Sequence, residues 1–129
     1  MTKNLSSLFL IVGLFGACNP LPNPGKEVYV EKCQNCHGID GNGLKGLYPP
    51  LTNADYIKEN RERIACIIMN GMEGEIMVNG KVYNEKMPSN PLLTEAEITN
   101  LLNYINSAFL PENKTFTLKE VSNNLRDCK

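Results

Sequence analysis

The stretch CQNCH, residues 33–37, constrains this chain more than any other feature because it gathers two thiols and the only histidine into five positions. Three chemistries use such a group. Cys33, Cys36 and His37 can bind a metal ion, carry out thiol–disulfide exchange, or hold a haem. These chemistries make different demands on the surrounding sequence, which therefore decides among them.

The surroundings of CQNCH favour haem over zinc and over thiol exchange. A structural zinc site needs four ligands, usually as two separated pairs, but Cys66 and Cys128 are isolated and there is no second histidine. A thioredoxin-like pair sits at a strand-to-helix turn, whereas the preceding GKEVYVEK is typical of a short helix. C-x-x-C-H is the attachment pattern of c-type haem. We therefore expect one covalent haem c, bonded by both sulfurs, with His37 on the iron.

Length and charge limit the other possibilities. A chain of 129 residues is long enough for one domain with one modest core. It carries 13 basic and 14 acidic residues and has no run of Lys or Arg. This balance argues against a nucleic-acid partner.

The first residues have the pattern of an export signal. Lys3 precedes an apolar run over residues 8–15, which is too short to span a bilayer as a helix, and the small pair Gly16-Ala17 follows. We interpret residues 1–17 as a signal peptide. The alternative is a buried N-terminal helix.

The residues after this signal indicate a lipid anchor. LFGAC resembles the lipobox of bacterial lipoproteins, with Phe15 where leucine is usual. The resemblance implies that Cys18 receives diacylglycerol and becomes the mature N-terminus, and such acyl chains hold a protein to a membrane. Residues 18–24, rich in proline, would form a short tether outside the cytoplasm.

The segment around CQNCH resembles the bacterial class I cytochromes c. GKEVYVEKCQNCHGIDGNG is similar to the family's opening helix and haem-binding turn, with Gly25 and Tyr29 where the family's glycine and aromatic meet its C-terminal helix. The resemblance covers residues 25–109. It implies an all-α fold of three to five helices around one covalently bound haem, with a small β-hairpin near the axial methionine loop. We place this domain at residues 25–110.

A proline segment, GLYPPL, follows the histidine. By the same resemblance, the carbonyl of Pro49 or Pro50 accepts the Nδ1 proton of His37, and Pro50 is expected among the haem-binding residues. Such a bond fixes the tautomer of a ligating histidine. The alternative is that PPL only ends a loop before a helix.

The sixth iron ligand is expected to be a methionine downstream. NGKVYNEKMP is similar to the family's axial methionine segment, which implies that Met87 binds iron; Pro88 holds it extended. Met77, beside the hairpin signal Asn79-Gly80, is the alternative. An empty sixth position is the third possibility. Met69 is expected in the core and Met72 in a turn.

A closing helix and a tail complete the chain. Thr94 and Glu97 form a capping-box pattern before residues with helical spacing, and Tyr104 falls where the family has an aromatic that meets the first helix. The alternative is that Tyr104 is an ordinary core or surface aromatic without a specific contact to the first helix. Residues 111–129 are an extension in which Thr117 and Glu120 predict a second capping box.

Two of the five cysteines remain after haem and lipid attachment. Outside the cytoplasm, Cys66 and Cys128 are expected to form one disulfide that fastens the tail to the domain. The alternative is a buried, inert Cys66 with Cys128 free or in an intermolecular bond.

Together these features predict a lipid-anchored, periplasmic electron carrier, a monomer with His37 and Met87 on its iron and no enzymatic activity. Its donor and acceptor would be redox proteins that the sequence does not identify. One alternative is an accessory haem subunit docked on a respiratory or periplasmic oxidoreductase, and another is a haem sensor with a labile sixth ligand. A membrane-tethered thiol oxidoreductase would leave Cys33 and Cys36 free of haem.

Overall fold

This computed structural model describes residues 21–111 and 114–128. These residues contain six helical segments and one two-stranded hairpin, connected by loops. In chain order they are α1 Pro24–Lys32, α2 Gln34–His37, α3 Asp55–Glu59, α4 Arg61–Asn70, β1 Ile76–Val78, β2 Lys81–Tyr83, α5 Glu95–Phe109 and α6 Leu118–Arg126. Five of these helices, α1 to α5, lie within residues 24–109, in agreement with the expected three to five, and α6 is the short helix predicted in the tail. Helix α2 is a single turn, separated from α1 at Cys33. The signal peptide and Cys18 lie outside the described residues, and the division of the chain into domains stays a prediction. None of the helices in the described part is long and apolar enough to cross a bilayer.

The crossing of α1 over α5 organises the domain. At Gly25 the backbones approach so closely that an added Cβ would lie 2.0 Å from the carbonyl oxygen of Asn100. One turn later, the ring of fully buried Tyr29 lies 5.3 Å from those of both Tyr104 and Phe109. The predicted contacts of Gly25 and Tyr29 with the closing helix are therefore confirmed, and the aromatic group fixes where the CQNCH turn begins.

Helix α5 forms because its first turn is capped as the sequence predicts. The Thr94 side chain accepts a hydrogen bond from the Glu97 amide, and the Glu97 carboxylate accepts one from the Thr94 amide. The face of the helix that follows carries Ile98, Leu101 and Leu102, which are almost completely buried. This face forms one wall of the core.

The hairpin of β1 and β2 turns at the predicted Asn79-Gly80 pair, whose φ angles of 51° and 74° are those of a tight hairpin turn. Asn79 also caps α3. Its side-chain oxygen accepts from the Asp55 amide at 3.1 Å, and the Asp55 carboxylate accepts from the Asn79 amide at 2.7 Å. This reciprocal pair fastens the hairpin to the start of α3.

The tail packs back on the domain through α6, which contacts α4 and α5 and buries Val121 completely. Thr117 accepts a hydrogen bond from the Glu120 amide, as the second predicted capping box requires. The other half of that prediction, in which the Glu120 carboxylate accepts from the Thr117 amide, is wrong. The Glu120 carboxylate instead accepts from the Arg61 guanidinium, at 2.7 Å from Nε. An ion pair from a distant helix displaces the local bond.

Arg61 contacts several residues of the tail. Its guanidinium also donates to the carbonyl oxygens of Lys114 and Thr115, at 2.6 Å and 2.9 Å, and stacks 3.7 Å above the centre of the Phe116 ring. A single side chain thus satisfies several backbone groups of the segment that leads into α6.

A disulfide joins Cys66 on α4 to Cys128 just beyond α6, 62 positions apart in the chain. Both half-cystines are partly buried. The bond fastens the far end of the tail to the same helix that Arg61 begins.

Candidate haem-binding site

The CQNCH turn continues α1 after a short break at Cys33. The Cys33 amide donates to the Tyr29 carbonyl, and the His37 amide donates to the Cys33 carbonyl, which winds α2 into one turn. Gly38 ends it with a φ of 77°. Cys33, Cys36 and His37 are all partly buried in this turn.

The Tyr29 hydroxyl holds the end of the turn, a role that the sequence did not indicate. It donates to the Gly38 carbonyl at 2.5 Å. Burial raises the pKa of Tyr29, with a smaller contribution from Cys33, so the phenol keeps its proton and remains a donor. The core aromatic therefore also sets the position of His37 next to it.

His37 has a fixed tautomer. Its Nδ1 lies 3.0 Å from the carbonyl oxygen of Pro49, which can only accept, so Nδ1 carries the proton and Nε2 keeps a free lone pair. Burial lowers the pKa of His37 below its ordinary value, and the hydrogen bond to Pro49 opposes that effect only in part. The imidazole is thus neutral, as a metal ligand must be.

The acceptor is Pro49, one of the two prolines between which the sequence left the choice open. Pro50 lines an apolar cavity beside it, and its place among the haem-binding residues stays a prediction. Close packing of Gly43 fixes the Pro49 carbonyl, since a Cβ there would lie 2.6 Å from that oxygen and 2.4 Å from the oxygen of Tyr48.

Two adjoining apolar cavities open beside this turn. Their volumes are about 90 Å³ and about 70 Å³, and their walls are mostly apolar. The residues that line both are Cys33, His37, Pro49, Ile68, Met72, Ile76, Met87 and Leu101. The imidazole and one thiol therefore share an apolar space with two thioethers.

This donor set fits a haem held by thioether bonds better than a reactive dithiol. No disulfide joins Cys33 to Cys36, although they are only three positions apart, whereas Cys66 and Cys128 are joined. Thiol–disulfide enzymes lower the pKa of their attacking cysteine. Here burial, with the neighbouring Cys36 as a smaller cause, raises the pKa of Cys33 to about 11. Two closely spaced cysteines, one imidazole and an apolar slot are what a flat, apolar iron macrocycle requires.

The structure separates the methionines. Met77 is 61% exposed, because it lies between Ile76 and Val78 on β1 and points to the opposite face of the strand. Met69 is partly buried and packs against the core without lining either cavity. Met87 faces both cavities, and so does Met72, which the sequence assigned to a turn.

The Met87 segment is fixed to the C-terminal end of α4. Asn90 donates from its backbone to the Met69 carbonyl at 3.0 Å and from its side chain to the Ile68 carbonyl at 3.1 Å. These are carbonyls that the end of a helix leaves without a partner. Gly71 completes the contact, since a Cβ there would lie 2.5 Å from the Met87 carbonyl oxygen.

Sequence reasoning missed Asn90 and Gly71. Gly71 carried a signal, as a glycine directly after an apolar helical pattern. Asn90 carried none, because its partners lie more than twenty positions away.

Comparisons with known proteins show the family to which this fold belongs. Residues 23–109 match the family described as Cytochrome c. The chain is 32% identical over 132 residues to a cytochrome c-552 of Thermus thermophilus, covering 94% of this chain and 84% of that protein. A second cytochrome c-552 of the same species is 33% identical, over 75% of this chain and 80% of its own length. A shorter match, 37% identical over 49 residues, joins 37% of this chain to 10% of the cytochrome c subunit of a quinone alcohol dehydrogenase from Gluconacetobacter polyoxogenes.

Proposed function

Because this chain belongs to the cytochrome c family and binds covalent haem c, we propose that it is a one-electron carrier whose iron is held between His37 and Met87. The observation that carries this proposal is that both side chains face the same apolar space beside Cys33. Cys33 and Cys36 would supply the two thioether bonds. Bound haem supplies the cycle between ferric and ferrous iron.

The chain's own residues tune that cycle. The Pro49 carbonyl holds the proton of His37 on Nδ1, which orients Nε2 and strengthens it as a ligand. Aliphatic side chains of α4 and α5, among them Ile68 and Leu101, exclude water. A thioether ligand and a low-dielectric pocket both favour the reduced state and raise the potential.

Two axial side chains leave no position for a substrate, so we propose a carrier and not an enzyme. Support comes from the fastening of the Met87 segment to α4 through Asn90, which opposes loss of the methionine. A sensor would instead need that segment to yield readily to a diatomic gas.

The test is the spectrum and ligand binding of the matured protein. We expect oxidised protein to have the weak long-wavelength charge-transfer band of a thioether ligand and to take up and lose one electron reversibly. We expect the ferrous protein not to bind carbon monoxide. A high-spin spectrum with ready binding of carbon monoxide would reject the carrier and favour the sensor.

We further propose that the carrier works outside the cytoplasm, anchored by lipid on Cys18 and confined near the membrane by residues 18–24. The disulfide between Cys66 and Cys128 supports an oxidising compartment. In the native host, Cys18→Ser is expected to move the protein from the membrane to the soluble fraction. The control is Cys128→Ser, which should stay in the membrane fraction. A Cys18→Ser variant that remains membrane-bound would reject the lipid anchor.

A second role, an accessory haem subunit on a larger oxidoreductase, draws support from the partial match to a dehydrogenase cytochrome subunit. It differs from a mobile carrier in having one lasting partner. Mild detergent extraction followed by size-exclusion chromatography separates the two roles. A monomer favours the carrier, whereas elution with a dehydrogenase or oxidase favours the subunit.

A further inference from the structure

Met72 and Met87 are paired across a short antiparallel bridge. The Met72 amide donates to the Met87 carbonyl at 3.0 Å, and the Met87 amide donates to the Met72 carbonyl at 2.9 Å. Residues that exchange both bonds lie directly opposite one another, and their side chains project to the same face. That face is the apolar space, which both methionines line.

The two sulfurs differ in what they contact. The Tyr56 hydroxyl donates to Sδ of Met72 at 3.5 Å, a hydrogen bond of normal length for sulfur. Tyr56 lines the first cavity and is itself partly buried, so the bond lies inside the site. It occupies a lone pair of Met72 and holds its side chain in one orientation.

We propose that Met72 is a reserve axial ligand, which Tyr56 restrains and which takes the sixth position when Met87 leaves it. The inference rests on the proposed function, since it assumes that a thioether completes the coordination. The exchange transfers no electron or proton: one bond from iron to the Met87 sulfur breaks, one to the Met72 sulfur forms, and the Tyr56 hydrogen bond is released. Only side-chain torsions need to change, because the two backbones are already bridged and methionine has three rotatable bonds.

The experiment labels methionine with ¹³C at the ε-methyl group and follows the reduced, matured protein by NMR. A ligated methionine gives a methyl signal that the haem ring current shifts strongly, and variants assign it. The variants are Met87→Leu, Met72→Leu and the double variant, since leucine keeps the volume of methionine without a sulfur. The control is Met77→Leu on the exposed face of β1.

We expect wild type and Met72→Leu to show one shifted methyl from Met87. Met87→Leu should keep a shifted methyl, now from Met72, and the double variant should lose it. Complete loss in Met87→Leu alone would overturn the reserve role while leaving the proposed function intact. A wild type without any shifted methionine methyl would overturn both.

Tyr56→Phe tests the restraint separately. In the Met87→Leu background, removal of one neutral hydrogen bond should raise the ratio of ligated to released Met72 by about five-fold. Temperature dependence of the shifted methyl signal measures that ratio. A lower ratio in Tyr56→Phe would mean that the hydroxyl supports ligation by Met72, which overturns the part assigned to Tyr56.

Discussion

The contact between the end of α4 and the Met87 segment can be tested with two glycines that have nearly the same φ angle. Gly71 has a φ of 75° and Gly80, in the hairpin turn, a φ of 74°. The positive φ costs alanine about 1–2 kcal/mol at Gly80 and more at Gly71, whose ψ of −176° lies in a region almost confined to glycine. They differ in surroundings. A Cβ at Gly71 would lie 2.5 Å from the Met87 carbonyl oxygen, whereas one at Gly80 has no atom within 4 Å.

Gly71→Ala should therefore lose more than Gly80→Ala. Pushing a methyl group into packed backbone typically costs a further 1–3 kcal/mol, so the free energies of unfolding of the two variants should differ by at least about this much. The clash also displaces the residue proposed to bind iron. Gly71→Ala should weaken the long-wavelength thioether band of the oxidised protein, and Gly80→Ala should leave it unchanged.

Urea unfolding, followed by far-ultraviolet circular dichroism, measures the first difference, and the absorption spectrum of oxidised protein measures the second. Both variants would be matured with haem under the same conditions. Equal losses of stability together with equal spectra would refute the reasoning, because the left-handed backbone would then account for the whole effect.

Three further outcomes are expected. Replacement of Cys66 and Cys128 by alanine should lower the free energy of unfolding by about 4 kcal/mol, the loop-closure entropy of 62 positions, and leave the haem spectrum unchanged. A loss below about 1 kcal/mol would contradict the view that the disulfide stabilises by restricting the unfolded chain. The hydrogen bond from Arg61 lowers the pKa of Glu120, so the stability from this pair is complete above the ordinary value of 4.5 and is lost as pH falls through the lower folded-state pKa. The free energies of unfolding of wild type and Glu120→Gln, measured by urea titration, should therefore converge as the pH falls. A difference between them that grows in acid would contradict the predicted direction. Gly25→Ala should lower the unfolding free energy by about 1–3 kcal/mol or more, because its Cβ would lie 2.0 Å from an α5 carbonyl oxygen; an unchanged urea midpoint would show that the helices can separate freely.

Local rules predicted the elements whose determinants lie close together in the sequence. The box of Thr94 and Glu97 needs only a reach of three residues, and the Asn79-Gly80 turn needs only two residues that tolerate positive φ. The pattern that identifies the CQNCH turn likewise lies within five consecutive residues.

Most of the failures involve partners that are distant along the chain. Glu120 matched a capping box as well as Glu97 did, but Arg61 lies 59 positions away and offers a charged donor. A neutral backbone amide in water competes poorly with a bidentate guanidinium. No local pattern could have indicated that pair.

The place of Met72 in the cavity was missed for the same reason. Met72 and Met77 are both close to a turn signal, and only the bridge between Met72 and Met87 brings one of them into the cavity. Single bridges have no periodic pattern, so the sequence placed the alternative ligand at Met77. The choice between Pro49 and Pro50 depended in turn on the packing of Gly43.

The crossing of α1 and α5 has a consequence for the order of folding. The contact between Gly25 and Asn100 closes a loop of roughly 75 residues, whose entropy must be lost before any packing compensates. Leu101 and Leu102 line the haem cavity, so that cavity lacks a wall until α5 docks. Until α5 docks, the two thiols therefore lie in open, reachable backbone, and docking of the last domain helix closes the cavity beside Cys33.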